Sequence, residues 1–160
     1  GLTVKAAYLT AGGTVAESNI ELGAQYTGVE GLAIGYGVGD NNTTAGTTIE
    51  NTVAYATYAI DAFTIGVQSN STDSTAASGD EDFVAVGVSY AVSEDVSVSI
   101  GESKIEFENA SLSDQEAQAI AVSYTNGSIT VGATRHSIDN VAGTASDDRD
   151  VTKINITFAF

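Results

Sequence analysis

Apolar residues recur at every second position through almost the whole chain, and this period constrains the fold more than any other feature. Leu2, Val4, Ala6 and Tyr8 alternate with Thr3, Lys5 and Ala7, and Ile20, Leu22, Ala24 and Tyr26 alternate with Glu21, Gly23, Gln25 and Thr27. A strand turns successive side chains to opposite faces, so the pattern is that of strands with one apolar face. The same period runs through 32–38, 63–67, 84–92, 96–100, 120–124, 129–133 and 154–160, and no window shows a convincing helical period. In 52–60, Ala54, Ala56, Tyr58 and Ile60 share one face, and Val53, Tyr55 and Thr57 share the other. The sequence therefore predicts ten strands, at 2–10, 19–28, 31–39, 49–60, 63–70, 82–92, 95–104, 116–125, 128–138 and 149–160.

The connections alternate in length. Short turns are expected at 28–31, 61–62, 93–95 and 126–128, and long polar stretches at 11–18, 40–48, 71–81, 105–115 and 139–148. Asn126-Gly127 is read as a two-residue hairpin pair with positive φ at both positions. Short turns at one end and long loops at the other describe an antiparallel up-and-down meander, one domain over 1–160.

An aromatic marks each repeat of this unit. Tyr26, Tyr58, Tyr90, Tyr124 and Phe158 recur at spacings of 32, 32, 34 and 34, each flanked by small or polar residues. The first four stand just before a short turn, which sets Tyr58 and Ile60 outward. A soluble barrel has little use for exposed rings at one height. A membrane barrel does, because aromatic rings prefer the lipid–water boundary. The acids agree. Of 21, sixteen lie in or beside the long loops and four at the short turns; Glu21 has inward parity. None is expected on the apolar face of a strand midsection, where a charge facing lipid costs roughly 2–4 kcal/mol for Lys or Arg and less for Asp or Glu. The other face is Gly, Ala, Ser, Thr, Gln and Asn, which suits a water-filled lumen.

Composition removes alternatives. The absence of Cys excludes disulfides and thiolate chemistry. A single His excludes a multi-histidine metal site. A net charge of −16 argues against nucleic acid as a partner. At 42% hydrophobic, the chain is too apolar for a disordered coil. No run reaches the roughly 18–20 apolar residues of a membrane helix. No signal peptide opens the chain, and its first residue is Gly, so a processed mature chain or a piece of a longer one is expected.

The last strand, Lys153-Ile154-Asn155-Ile156-Thr157-Phe158-Ala159-Phe160, resembles the C-terminal assembly signal of Gram-negative outer-membrane barrels. Lys153, Phe158 and Phe160 match that signal, and Asn155 stands where Gly is usual. With Tyr58-Ala59-Ile60-Asp61-Ala62-Phe63-Thr64-Ile65-Gly66-Val67 and the stretch from Ala121 through Asn126-Gly127 to Ala133, the chain resembles the C-terminal portion of a general porin of the alphaproteobacterial type. The resemblance implies an all-β, antiparallel up-and-down transmembrane barrel of 16 strands, of which about ten lie in this chain. It also implies a homotrimer in the bacterial outer membrane, partnered by outer-membrane lipid, lipopolysaccharide and the barrel-assembly machinery. The implied function is passive diffusion of small hydrophilic solutes and ions, with no cofactor and no catalysis. The pore-wall arginine cluster often seen in such porins is not found here.

Lys5, Glu21, Gln25, His136, Lys153 and Asn155 have lumen parity and are the pore-lining candidates. Lys5 and Lys153 are expected near the turn end. His136 lies beside Ser137 and near Asp139, but adjacent strand residues face opposite sides, so a catalytic triad is not expected. Arg135 is expected outward, near the outer interface, either at lipopolysaccharide phosphate or paired with a loop acid. The acids of 80–82 and 147–150 could hold Ca²⁺ or Mg²⁺, although their spacing matches no defined calcium loop and solvated loop acids are the simpler account. The alternative function is a complete ten-stranded outer-membrane barrel with a structural, receptor or enzymatic role. Such a small barrel packs its interior with large side chains.

Overall fold

The structure, a computed structural model, describes residues 1–12, 18–42 and 47–159. Ten strands follow one another: β1 (Leu2–Leu9), β2 (Asn19–Tyr26), β3 (Leu32–Asp40), β4 (Ile49–Ile60), β5 (Phe63–Ser74), β6 (Glu81–Ala91), β7 (Val96–Phe107), β8 (Gln115–Asn126), β9 (Ile129–Asp139) and β10 (Arg149–Phe158). They form one antiparallel sheet in sequence order. Among the described residues β1 pairs only with β2 and β10 only with β9, so the ten strands do not close on themselves. Among the described residues the one helical element is a short 3-10 turn at Val141–Gly143.

There is no buried apolar core among the described residues. Along β8, Ala117, Ala119, Ala121 and Ser123 are half-buried, while the larger Ile120, Val122 and Tyr124 are exposed. Small side chains are screened by curvature and large ones stand clear, so the apolar face is convex and the small, polar face concave. In water such a surface would be a liability. In hydrocarbon it is the stable arrangement, with every interior backbone group paired across the sheet.

The register ties the repeated aromatics together. The row through Tyr26 reaches β4 at Ala56, two residues above Tyr58. The row through Tyr58 reaches β6 at Val88, two above Tyr90. That of Tyr90 reaches β8 at Val122, two above Tyr124, and that of Tyr124 reaches β10 at Ile156, two above Phe158. Each ring thus drops two residues, about 7 Å, for every two strands, about 10 Å. The five are level if the strands tilt by about 35°, within the range that barrels adopt.

Three details differ from the sequence expectations. β5 runs on to Ser74 and β7 to Phe107, so their loops shrink to 75–80 and 108–114. The longer β7 places Glu102 mid-strand on the convex face, between Val86 and Gln118, not beside a loop. The β8–β9 turn is also shifted by one residue. Asn126 pairs with Ile129, so the central residues are Gly127 and Ser128. Only Gly127 has positive φ, at 58°, which matches a turn with Gly at its first central position. The β4–β5 turn repeats this form, with Asp61 at φ 51° between the paired Ile60 and Phe63.

Candidate pore wall

The concave face is built from rows of small residues. Thr57, Gly66, Gly87, Gly101, Ala119 and His136 lie on one hydrogen-bonded row across β4–β9, and Thr64, Ser89, Ser99, Ala121 and Thr134 on the row below. Many of these residues line one broad depression, together with Tyr55, Gln68 and Phe83. Side chains this short cannot meet across a barrel interior, so they leave space for water.

All six pore-lining candidates fall on this face, spread over the sheet. Lys5 pairs with Gly23, Glu21 with Ala7 and Gln25 with Thr3 on the β1–β2 side. His136 pairs with Ala119, and Asn155 with Gly132. Lys153 pairs with Thr134 and is the fifth residue of β10, so it stands mid-wall instead of near the turn end. The register responsible sets Arg149 against Ile138, close to the top of β9. His136 and Ser137 face opposite sides, since Ser137 pairs with outward Gln118.

On the convex face, the exposure of Tyr26, Tyr58, Tyr90, Tyr124 and Phe158 ranges from 38% to 60%. Phe158 is the last residue of β10, and Lys153 shares that strand. Phe160, the third residue of the terminal signal, lies outside the described residues. Arg135 points outward and its Nη2 lies 3.6 Å from Asp150 Oδ2, so its partner is a strand acid on β10. Lys104 bridges Glu106 (2.6 Å) and Asp114 (2.9 Å).

The acidic stretches organise loops. Asp80 Oδ1 accepts the Ser74 N–H at 2.7 Å, Asp148 Oδ1 accepts the Asn140 N–H at 3.1 Å, and Asp147 pairs with Arg149 at 3.1 Å. Loops 108–114 and 140–148 interlock. The Ser113 N–H donates to Gly143 O, the Ala142 N–H to Gln115 Oε1, and Asn140 Nδ2 to Asp114 O. Gly143 is buried and has φ +76°. A Cβ there would come 2.9 Å from Leu112 Cβ and 3.1 Å from the ring of Phe107.

Sequence reasoning placed Tyr55 on the inward face but did not single it out. Tyr55 pairs with Gly35, and the far edge of its ring occupies the space where a Gly35 Cβ would lie. Gly35 is buried beneath it. The ring therefore lies down along the wall. Parity gave the face, but only the register gives the glycine.

A family model of Gram-negative porins matches residues 1–106 and 36–160, which together span the chain. Among solved structures the chain is similar to a loop L8 deletion mutant of OmpT, an outer membrane protein of Vibrio cholerae. The TM-score is 0.78 at 20% identity, over 98% of this chain and 58% of that one. In-vitro folded OmpT gives 0.74 at 18% identity, over 99% and 61%. Outer-membrane expressed OmpT gives 0.62 at 18%, over 86% and 53%. These likenesses concern the fold, and the chain spans between about half and three fifths of the length of those structures. No curated protein sequence matches it.

Proposed function

The chain belongs to the Gram-negative porin family, whose place is the bacterial outer membrane, and we propose on that premise that it walls a water-filled channel for passive diffusion of small hydrophilic solutes and ions. The observation that carries this reading is the concave face, where glycine, alanine, serine and threonine fill row after row in place of interlocking large side chains. That wall is too thin to fill a barrel and polar enough to stay wet. The reading gives His136 no catalytic part: its sequence neighbour Ser137 is on the other face, and no other His exists in the chain.

The unpaired outer edges of β1 and β10 suit closure by further strands, since an open edge leaves backbone groups unsatisfied in lipid. Ten strands over about three fifths of a matching structure correspond to about sixteen in all, if evenly spaced. The C-terminal portion of a porin of the alphaproteobacterial type fits this reading. The five level rings would form the belt at the periplasmic boundary, with lipid between them and the charged strand tops. Arg135, outward near those tops, suits contact with lipopolysaccharide phosphate. We propose a homotrimer as well: outward, mid-strand Glu102 would cost less against a polar neighbouring surface than against lipid, and the mass of the detergent-extracted complex, expected at three protomers, checks the number.

Proteoliposomes test the channel. Vesicles carrying the assembled protein should swell in isotonic solutions of small sugars, faster for smaller solutes. Vesicles no more permeable than empty ones would reject the reading.

A further inference from the structure

We propose that the pore wall carries a stacking site for neutral oligosaccharides, centred on Tyr55 and continued upward by Phe83; the inference rests on the channel reading and names a solute class for it. Tyr55, Phe83 and Phe107 are the aromatics of the concave face among the described residues. They do not scatter. Phe83 pairs with Asn70, two residues up β5 from Gln68, the partner of Tyr55. Phe107 pairs with Glu81, two residues up β6 from Phe83. The three therefore climb from mid-wall toward the loop end, with backbone steps of roughly 12 and 8 Å by strand spacing. Tyr55 and Phe83 line the same depression.

The shape of the site follows from Gly35. The far edge of the Tyr55 ring covers Gly35 and holds the ring on the wall beside β3, while Tyr55 stays only half-buried, so part of the ring is open to the lumen. A flat aromatic face against the C–H groups of a pyranose ring is a favourable apolar contact for an otherwise polar solute, and a few placed polar groups then set orientation. Those groups are present on the same row: Gln25 pairs with Gly35 on one side, and Gln68 with Tyr55 on the other. Gln68 Nε2 donates to Asn70 Oδ1 at 3.0 Å, which leaves Gln68 Oε1 open as an acceptor. Thr72 Oγ1 donates to Asn51 Oδ1 at 3.0 Å, which leaves the Asn51 amide hydrogens open as donors. Carboxamides present both donors and acceptors, as paired sugar hydroxyls require. The row from Gln25 to Gln68 carries no charge, which favours a neutral ligand over an ionic one.

The test uses the assembled protein in a planar bilayer with maltohexaose as probe. The wild type should show saturable current block. Tyr55→Ala should raise the half-blocking concentration at least tenfold, Gln68→Ala several-fold, and Tyr55→Phe, which keeps the ring over Gly35, less than threefold. A block that grows linearly with sugar and never saturates would overturn the proposal. So would equal block by wild type and Tyr55→Ala. If Tyr55 serves only to cover Gly35, Tyr55→Ala will lower unfolding stability and leave block unchanged. Tyr55→Trp separates this proposal from the channel reading, because the chain has no Trp of its own. Saturable change in its emission with maltohexaose would support the site even without conduction, and a flat emission titration beside normal conductance would reject the site alone.

Discussion

Phe63 and Tyr90 face each other across β5 and β6 with ring centroids 4.6 Å apart and planes tilted by 31°. Phe63 opens β5 directly after the two-residue turn, and Tyr90 is one of the five recurring aromatics that stand before the short turns or at the end of β10. The contact thus joins two hairpins at the short-turn end. Tilted aromatic pairs contribute about 0.5–1.5 kcal/mol beyond their area. A double-mutant cycle of Phe63→Leu and Tyr90→Leu, read by reversible unfolding in lipid vesicles, should return a coupling in that range. Additive effects would show that the rings meet only lipid.

Gly143 locks the two interlocked loops. Its φ of +76° and the 2.9 Å approach to Leu112 leave no room for a side chain. Gly143→Ala should loosen loops 108–114 and 140–148 at a local cost of about 1 kcal/mol or more. Hydrogen exchange at the Ser113 N–H, which donates to Gly143 O at 2.9 Å, should accelerate several-fold while exchange at mid-strand amides stays unchanged. Unaltered exchange at Ser113 would mean that the loops are held elsewhere.

Loss of Phe160 should impair insertion into the outer membrane more than conduction by the barrels that do insert. The ground is the terminal pattern Lys153, Phe158 and Phe160. Quantifying assembled barrel after expression of a Phe160-deleted chain checks it, and normal yield would remove the assembly role.

At low salt the mouth should favour cations. Asp80, Glu108, Asp147 and Asp148 stand in the long loops and Glu81 tops the concave face of β6, while Lys104 is already paired twice. One-signed charge raises the local concentration of counter-ions. Its reach shrinks from about 8–10 Å at physiological salt to about 3 Å near 1 M. Lys5 and Lys153 oppose it from the wall. Reversal potentials under a salt gradient should show a cation preference that fades as salt rises. Anion preference persisting at high salt would place control of permeation elsewhere.

Much of this architecture is legible in the sequence, and the exceptions share a cause. Alternation located all ten strands, and the spacing of the aromatics settled the ambiguous β4, where Tyr58 does pair with outward Ile65. Hydropathy stops reporting where a strand leaves the apolar band. Ser69, Ser71 and Asp73 on β5, and Glu102, Lys104 and Glu106 on β7, keep the two-residue period with polar side chains outward, so the strand continues while its signal vanishes. At the β8–β9 turn, Asn-Gly is a common pair for the centre of a hairpin, but cross-strand pairing of Asn126 with Ile129 moved the centre one residue on. Tyr55 over Gly35 is a relation between strands, 20 positions apart in the chain, which no local pattern contains.

Single-channel recording tests the central claim most directly. The assembled protein, added at nanomolar concentration to one side of a planar lipid bilayer, should produce stepwise, long-lived conductance increments. Their size should scale with bulk conductivity at high salt, as for a water-filled passage. Correctly folded, membrane-inserted protein that leaves the bilayer silent at every salt concentration would contradict the account.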